Sequence, residues 1–95
     1  MTLAEFLLAR IAEDESAARS PLSENRWQAI HPRRVLAECE AKRRIVTDCA
    51  ARMVDAEADL TTEAQWVAQF ATETLWSLAF PYADHADFRY DEWHP

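Results

Sequence analysis

The chain of 95 residues contains no glycine. Glycine is the usual residue of tight hairpin turns and of left-handed helix ends, so its absence disfavours a sheet built from short hairpins. The absence of glycine also excludes the glycine-rich loops that hold phosphate groups. Alanine, leucine, glutamate and arginine are abundant instead, and these residues favour helix. The composition therefore predicts an all-α protein.

Cysteine is scarce, and long apolar runs are missing. Cys39 and Cys49 are the only two cysteines. If both lie on one helix, ten residues separate them by about 15 Å, which is too far for a disulfide. A zinc site would need two more ligands nearby, and the pattern offers none. No stretch approaches the length of a membrane-spanning helix, and no signal peptide opens the chain. We therefore expect a cytoplasmic protein with no metal, no cofactor and no membrane partner.

Charge is distributed unevenly along the chain, whose formal net charge is −7. Residues 33–54 carry six bases against three acids, whereas residues 55–95 carry nine acids against a single arginine. Within the basic stretch, Glu40, Arg44, Asp48 and Arg52 alternate in sign at four-residue steps, which indicates a solvated, ion-paired helix face. Nucleic-acid binding needs concentrated positive charge and is disfavoured. A basic or mixed protein surface, or a second copy of the chain, suits this distribution better.

Apolar residues recur at helical spacing in three segments. Three amphipathic helices with short connections pack as a bundle around one core, so we expect a single domain over residues 1–95. The predicted helices cover residues 3–19, 32–58 and 63–80, and an ordered aromatic and acidic C-terminal segment covers residues 81–95.

Local signals set the expected helix ends. Thr2 and Glu5 have the spacing of a capping box, in which the hydroxyl and the carboxylate each accept a backbone N–H. Pro32 suits the first turn of the second helix, where its missing N–H is harmless. Thr62 and Gln65 suggest a second capping box at the start of the third helix.

The third helix has large apolar residues on more than one side. Trp76 and Phe80 lie four residues apart and outside the predicted core stripe, so their side chains adjoin each other. Two large aromatics on the far side need a cover, which either the C-terminal segment or another chain supplies. The predicted core stripe of this helix consists of Val67, Phe70, Ala71, Thr74, Leu75 and Leu78.

Three stretches resemble a family of uncharacterised proteins from actinobacteria and their phages, a domain of unknown function. Leu3 to Glu15 fits the pattern LxEFLxARIxEDE. The second stretch is His31-Pro32-Arg33-Arg34-Val35-Leu36, followed by the run Glu40-Ala41-Lys42-Arg43-Arg44. The third is Pro81-Tyr82-Ala83-Asp84-His85 with Trp93, which is similar to a Tyr-Ala-Asp-His…Trp ending in the family. His31, Ala86 and Phe88 depart from the family's Asp, Pro and Tyr. The resemblance covers about half of the chain. It implies an actinobacterial or phage origin and no particular activity.

Two chemistries could use the acidic and histidine-bearing residues. A metal could bind carboxylates and imidazoles, but these lie in an irregular stretch without fixed helical spacing, and a structural turn at Asp84 is favoured. The spacing Arg-x₄-His resembles the signature of all-helical ribonucleases, but a chain of this composition gives roughly one such match by chance. The metal candidates are Asp84, His85 and Asp87 with His31 or His94, and the ribonuclease candidates are Arg26 with His31 and Arg89 with His94.

The sequence therefore predicts a small non-enzymatic accessory protein that binds another protein, a host factor if the gene is phage-encoded. Aromatic side chains would supply burial at the interface and acids would supply orientation. The alternatives are a self-associating module, with the second or third helix paired across a two-fold axis, and the Arg-x₄-His ribonuclease. The same residues are predicted either to bind the partner or to hold the C-terminal segment against the bundle. They are Trp76, Phe80, Tyr82, Asp84, His85, Phe88 and Trp93.

Overall fold

The computed structural model describes residues 1–20 and 31–95, and all regular structure in these ranges is helical. The predicted all-α fold class is therefore confirmed. Three long helices make up the bundle, and a one-turn 3₁₀ helix and a one-turn α-helix follow them. The long helices are α1 (Leu3–Arg19), α2 (Pro32–Ala58) and α3 (Thr62–Ala79), the 3₁₀ turn is Phe80–Tyr82, and the short helix α4 is Tyr90–Trp93.

Helix α1 begins with the predicted capping box. The Thr2 hydroxyl accepts a hydrogen bond from the Glu5 backbone N–H at 3.1 Å, and the Glu5 carboxylate accepts one from the Thr2 N–H at 3.0 Å. The bond from the Thr2 N–H stabilises the carboxylate form, and the nearby Thr2 hydroxyl adds to this effect, so the pKa of Glu5 lies below its ordinary value. The capping box thus fixes the point at which the first helix enters the bundle.

The turn between α2 and α3 differs from the prediction. Thr61, not Thr62, is the cap of α3, because its hydroxyl accepts from the Ala64 N–H at 3.2 Å. The Gln65 amide does not close a capping box. It donates instead to the backbone carbonyls of Ala56 and Asp59, each at 2.9 Å. The side chain therefore satisfies carbonyls left unpaired at the end of α2, and it ties the two helices into an antiparallel hairpin.

Helix α2 is the centre of the bundle and packs against both α1 and α3. At 1.5 Å per residue α2 is about 40 Å long, whereas α1 and α3 are each about 26 Å. The molecule is accordingly elongated, with extents of 49 × 26 × 17 Å. The most completely buried side chains come from all three long helices and are Phe6, Leu7, Ile11, Val46 and Leu75.

The two faces of α2 have the predicted chemistry. Cys39 and Cys49 are free thiols buried in the core, and burial raises the pKa of both. On the outer face, acids and bases pair at four-residue spacing as predicted, with N–O distances of 3.2–3.6 Å. None of the helices in the described ranges combines the length and the apolar character needed to cross a bilayer.

An ion pair that the sequence pattern did not suggest connects α1 to α2. The Arg43 guanidinium bonds to both carboxylate oxygens of Glu15, with Nη1 donating to Oε2 at 2.9 Å and Nη2 donating to Oε1. The Glu15 side chain is nearly buried. A two-point pair of this kind fixes orientation as well as distance, so it sets the register of the two helices.

The predicted core stripe of α3 is partly wrong. Ala71 and Leu75 are buried, and Ala79 continues the same line at a four-residue step. Val67 and Phe70 are exposed instead. The physical reason is that the packed face of α3 is built largely from small residues, which permit close helix approach, rather than from its largest apolar side chains. The helix is therefore rotated so that bulky residues near its start face solvent.

Candidate functional site

The C-terminal segment, residues 80–95, folds into consecutive tight turns after α3. Backbone N–H groups of Ala83, His85 and Phe88 donate to carbonyls three residues earlier, at 3.2, 3.0 and 3.0 Å. Pro81 stands early in the 3₁₀ turn, where it needs no donor of its own. These turns return the chain towards α1, and α4 then places Trp93 against the bundle.

A ring cluster around Phe6 holds this segment in place. Phe6 is completely buried in α1, and its ring centroid lies 5.1 Å from that of Trp93 and 5.8 Å from that of Phe88. Tyr82 and His85 approach the same ring edge-on, at 6.5 and 5.6 Å. Each such pair adds about 0.5–1.5 kcal/mol beyond its burial. Four of the predicted site residues thus contact one buried side chain of α1, and we call residues 80–95 the clasp.

Trp76 is the second point at which the clasp attaches. Its ring centroid lies 5.7 Å from that of Phe88 and 5.5 Å from that of Tyr90. The C-terminal segment therefore provides the cover that the sequence required for Trp76. Phe80 contacts Trp76 edge-on at 5.9 Å. Phe80 itself remains 62% exposed.

A buried arginine on α1 meets the clasp on its polar side. Arg10 donates to Glu13 at 2.9 Å, and its Nη1 lies 3.7 Å from the Asp87 carboxylate. The guanidinium carbon sits 5.1 Å from the centre of the Phe6 ring. Within residues 1–20 and 31–95, Arg10 Nε has no hydrogen-bond partner. Arg10 thus combines a stacking contact with charge contacts to both α1 and the clasp.

His85 joins that arginine to the backbone of the clasp. Its Nδ1 accepts the Asp87 backbone N–H at 3.0 Å. Arg10 Nη1 lies 2.8 Å from Nδ1 and 2.6 Å from Nε2. The Arg10 guanidinium therefore lies against the edge of the imidazole ring that also bonds to the clasp backbone.

Tyr82 adds a hydrogen bond between the clasp and α1. Its hydroxyl donates to the Asp14 carboxylate at 2.6 Å. Burial, together with the bond to Asp14 and its negative charge, raises the pKa of Tyr82 far above the ordinary tyrosine value of 10.0. The phenol therefore stays protonated and available as a donor throughout the neutral range.

Asp84 differs from the other predicted site residues. It is exposed at the tip of the clasp, and its carboxylate forms no bond to any residue that the structure describes. The Asx-type turn expected at this position is therefore not formed, and the turns here are closed by backbone groups alone. Asp84 is available to a partner but contributes nothing to holding the clasp.

The groups considered for metal or ribonuclease chemistry lie in other arrangements. In the described part of the chain, no three His, Cys, Asp or Glu side chains are grouped to hold a metal ion. Arg89 donates to the carbonyls of Ala86 and Phe88, and the exposed His94 ring stacks on Tyr90 at 5.0 Å. Arg26 lies outside the described residues.

The structure reveals an exposed apolar face of α3, which includes two residues of the predicted core stripe, Val67 and Phe70. Trp66 and Phe70 are 71% and 72% exposed, and Val67 beside them is 48% exposed. Trp66 precedes the buried Leu75 by nine residues, which is two and a half helical turns, so it projects from the opposite side of α3. A signal was present in the sequence, because Glu63 and Glu73 recur with Trp66 and Phe70 at steps of three and four residues, as on a solvent-facing side.

An open groove lies on another side of the bundle. It has a volume of about 480 Å³ and runs between the first turn of α1 and the facing parts of α2 and α3. Its lining is mainly apolar and includes Met1, Ala4, Met53, Leu75 and Trp93. The clasp supplies one wall through Trp93, so the clasp also shapes this groove.

Comparison with known proteins gives a family and nothing further. One family model matches the chain over residues 1–95, and it is described as a family of unknown function (DUF6221). No curated protein matches the chain, and no solved structure matches it.

Proposed function

Because the chain belongs to the DUF6221 family, whose function is unknown, we propose a function from its own surface: a small non-enzymatic protein-binding module. In this proposal the clasp is chiefly a structural element, and the surface that meets the partner is the outer side of α3. The clasp completes the bundle through contacts to Phe6, Arg10 and Asp14. In this proposal Tyr82, His85, Phe88 and Trp93 do not contact the partner. They stabilise the bundle that presents the binding surface.

One observation carries this proposal, namely the exposure of two adjacent large aromatic side chains. Trp66 and Phe70 are separated by one helical turn, and more than two-thirds of each side chain is open to solvent. Soluble proteins rarely expose such side chains together without a use, because contiguous apolar patches mark interaction sites or aggregation hazards. Tryptophan is also among the residues most enriched at energetically important interface positions.

Self-association is the second candidate, and the same exposed face favours it. Pairing α3 across a two-fold axis would cover Trp66 and Phe70. Light scattering separates the two candidates, because a two-fold dimer would have twice the mass of the monomer and would dissociate when Phe70 is replaced by glutamate.

The origin and setting remain part of the proposal. The resemblance to actinobacterial and phage proteins supports that origin, and a host protein as the partner if the gene is phage-encoded. The two free cysteines are what supports a cytoplasmic setting. A ribonuclease is the least favoured reading, since Arg89 already bonds to backbone carbonyls of the clasp.

The test is affinity capture from the cells that carry the gene, with the double variant Trp66→Ala, Phe70→Ala beside wild type. Ile45→Ala is the matched control, because it removes a partly exposed apolar side chain from α2. We expect a partner retained by wild type and by Ile45→Ala and lost in the double variant, with all three proteins equally folded. Equal capture by all three would mean that the face of α3 is not the binding surface.

A further inference from the structure

The exposed aromatic residues of α3 and the clasp lie along one side of the molecule, with Trp66 and Phe70 at one end, Phe80 and Tyr90 at the other, and the exposed Glu73 and Ser77 between them. Trp66, Phe70 and Phe80 lie within about 40° of one direction around the α3 axis, and 14 residues separate the first from the last, about 21 Å. Tyr90 of the clasp adjoins the far end through Trp76. We call these four residues the aromatic strip. Its length corresponds to about four turns of a helix lying alongside it.

The size of the strip can be estimated from the exposure of its members. Their exposed fractions are 71%, 72%, 62% and 59%. With roughly 200 Å² for each side chain, the exposed aromatic area is on the order of 500 Å². Stable specific interfaces bury about 800 Å² on each partner. The strip is therefore too small for a permanent dimer on its own, and it suits a single docked helix.

The charges on α3 are all of one sign. Between Arg52 and Arg89 the chain contains seven acids and no lysine or arginine. Glu63 and Glu73 lie on the same side of α3 as Trp66 and Phe70, and neither forms an ion pair with a residue of the described ranges. The acids on the outer face of α2 contrast with them, since Glu38, Glu40 and Asp48 each pair with an arginine. The strip thus contains acids without basic partners, with Glu63 at its start and Glu73 between Phe70 and Phe80.

This charge pattern decides between the possible occupants. If a second copy paired its α3 antiparallel to this one about the middle of the strip, Glu73 would face Glu73 of the other copy, and like charges at such a contact are unfavourable. Six of the ten lysine and arginine residues of the chain lie on α2, where most already have acidic neighbours. A partner with its own lysines or arginines would instead pair with Glu63 and Glu73.

We infer that the aromatic strip binds an amphipathic helix of another protein, with aliphatic residues on one face and lysine or arginine at its edges. The aliphatic side chains would pack on Trp66, Phe70 and Phe80 at helical spacing, and the basic ones would reach Glu63 and Glu73. This inference rests on the proposed function and specifies the chemistry of the partner.

The test uses three synthetic 18-residue peptides and the whole chain. One peptide has leucine at i, i+3, i+4 and i+7 positions with lysine elsewhere, the second has glutamate in place of lysine, and the third is a scrambled version of the first. Fluorescence anisotropy of the labelled peptides gives the dissociation constants at low and at high salt. We expect the ordered leucine–lysine peptide to bind, the scrambled peptide to bind at least tenfold more weakly, and the leucine–glutamate peptide to show no binding.

Variants then locate the binding. Trp66→Ala should weaken binding of the leucine–lysine peptide by about 25-fold or more, the loss typical of an interface hot spot. The double variant Glu63→Gln, Glu73→Gln should weaken it by roughly threefold and reduce its salt dependence. Ile45→Ala should leave it unchanged.

Three outcomes would overturn the inference, and they separate it from the proposed function. Equal binding of the lysine and glutamate peptides, both lost in Trp66→Ala, would refute the basic partner but keep the protein-binding face. A dimer that Phe70→Glu dissociates would replace the partner helix with a second copy. Equal affinity of wild type and Trp66→Ala for the leucine–lysine peptide would refute both this inference and the proposed protein-binding face of α3.

Discussion

Replacing Trp93 by alanine tests whether the clasp is part of the folded core. Trp93 is buried between Phe6 of α1 and Phe88 of the clasp, with ring centroids 5.1 and 5.6 Å away. Removing the indole would leave a cavity beside the most buried ring of the cluster. It would also take away one wall of the groove at the start of α1.

The expected loss of stability follows from the burial. Truncating a buried tryptophan or phenylalanine to alanine costs about 3–5 kcal/mol. The lower end applies here, because α4 has only four residues and can shift to close part of the gap. We therefore expect Trp93→Ala to lower the free energy of unfolding by about 3 kcal/mol. For a domain of this size that corresponds to a fall in Tm of about 12–24 °C.

The assay is urea unfolding followed by far-ultraviolet circular dichroism, which does not depend on the tryptophan signal that the substitution removes. Trp66→Ala is the matched control, since it makes the same chemical change at a side chain 71% exposed. The control should stay within about 0.5 kcal/mol of wild type. A loss below about 1 kcal/mol for Trp93→Ala, or one no larger than the control's, would refute the view that the clasp belongs to the core.

Three further predictions concern other parts of the structure. Glu15→Gln removes the charge from the pair with Arg43, and we expect a loss of about 1–2 kcal/mol in urea unfolding. Tyr82→Phe should cost about 1 kcal/mol at neutral pH, because the acceptor on α1 loses its donor. The raised pKa of Tyr82 means that its contribution is fully present below the ordinary tyrosine pKa of 10.0 and is lost as pH rises above it. Wild type should therefore lose more stability than Tyr82→Phe above pH 10. Iodoacetamide should modify Cys39 and Cys49 only after unfolding, because both thiols are buried and their pKa values are raised.

Each of these predictions has a result that would contradict it. Glu38→Gln is the control for Glu15→Gln, because it breaks an exposed ion pair on α2 and should lower the free energy of unfolding by less than about 0.5 kcal/mol. An equally small loss from Glu15→Gln would mean that the ion pair between α1 and α2 contributes no more than an exposed one. Parallel stability curves above pH 10 for wild type and Tyr82→Phe would mean that the phenol is not held by the fold. Alkylation of Cys39 in the native protein would show that the reagent reaches the buried face of α2 without unfolding.

Local chemistry in the sequence was enough to predict the three helices and most of their ends. Thr2 and Glu5 cap α1 through bonds across three residues, and Pro32 begins α2 as its missing donor requires. Such signals act over one helical turn, so no knowledge of the tertiary structure is needed. The need to cover Trp76 and Phe80 added that the ending of the chain would be an ordered element.

Local signals could not predict which side of α3 is buried or where the clasp packs on the bundle. Phe70 and Leu75 are both apolar, and only the position of α2 decides which of them is buried. Arg10 meets His85 across 75 residues of sequence, so no local pattern connects them. The burial of Phe6 depends on rings supplied by the clasp, so the residue spacing within α1 does not predict it.

The most direct test of the protein-binding face is site-specific photo-crosslinking in the cells that carry the gene. The photoreactive residue p-benzoylphenylalanine replaces Phe70 in one protein and, as the control, Ile45 in another. The account predicts an adduct with a different protein from position 70 only, and mass spectrometry of that adduct should place the crosslink in a helical segment rich in lysine or arginine. An adduct formed only with a second copy of the chain, or equal adducts from both positions, would contradict it.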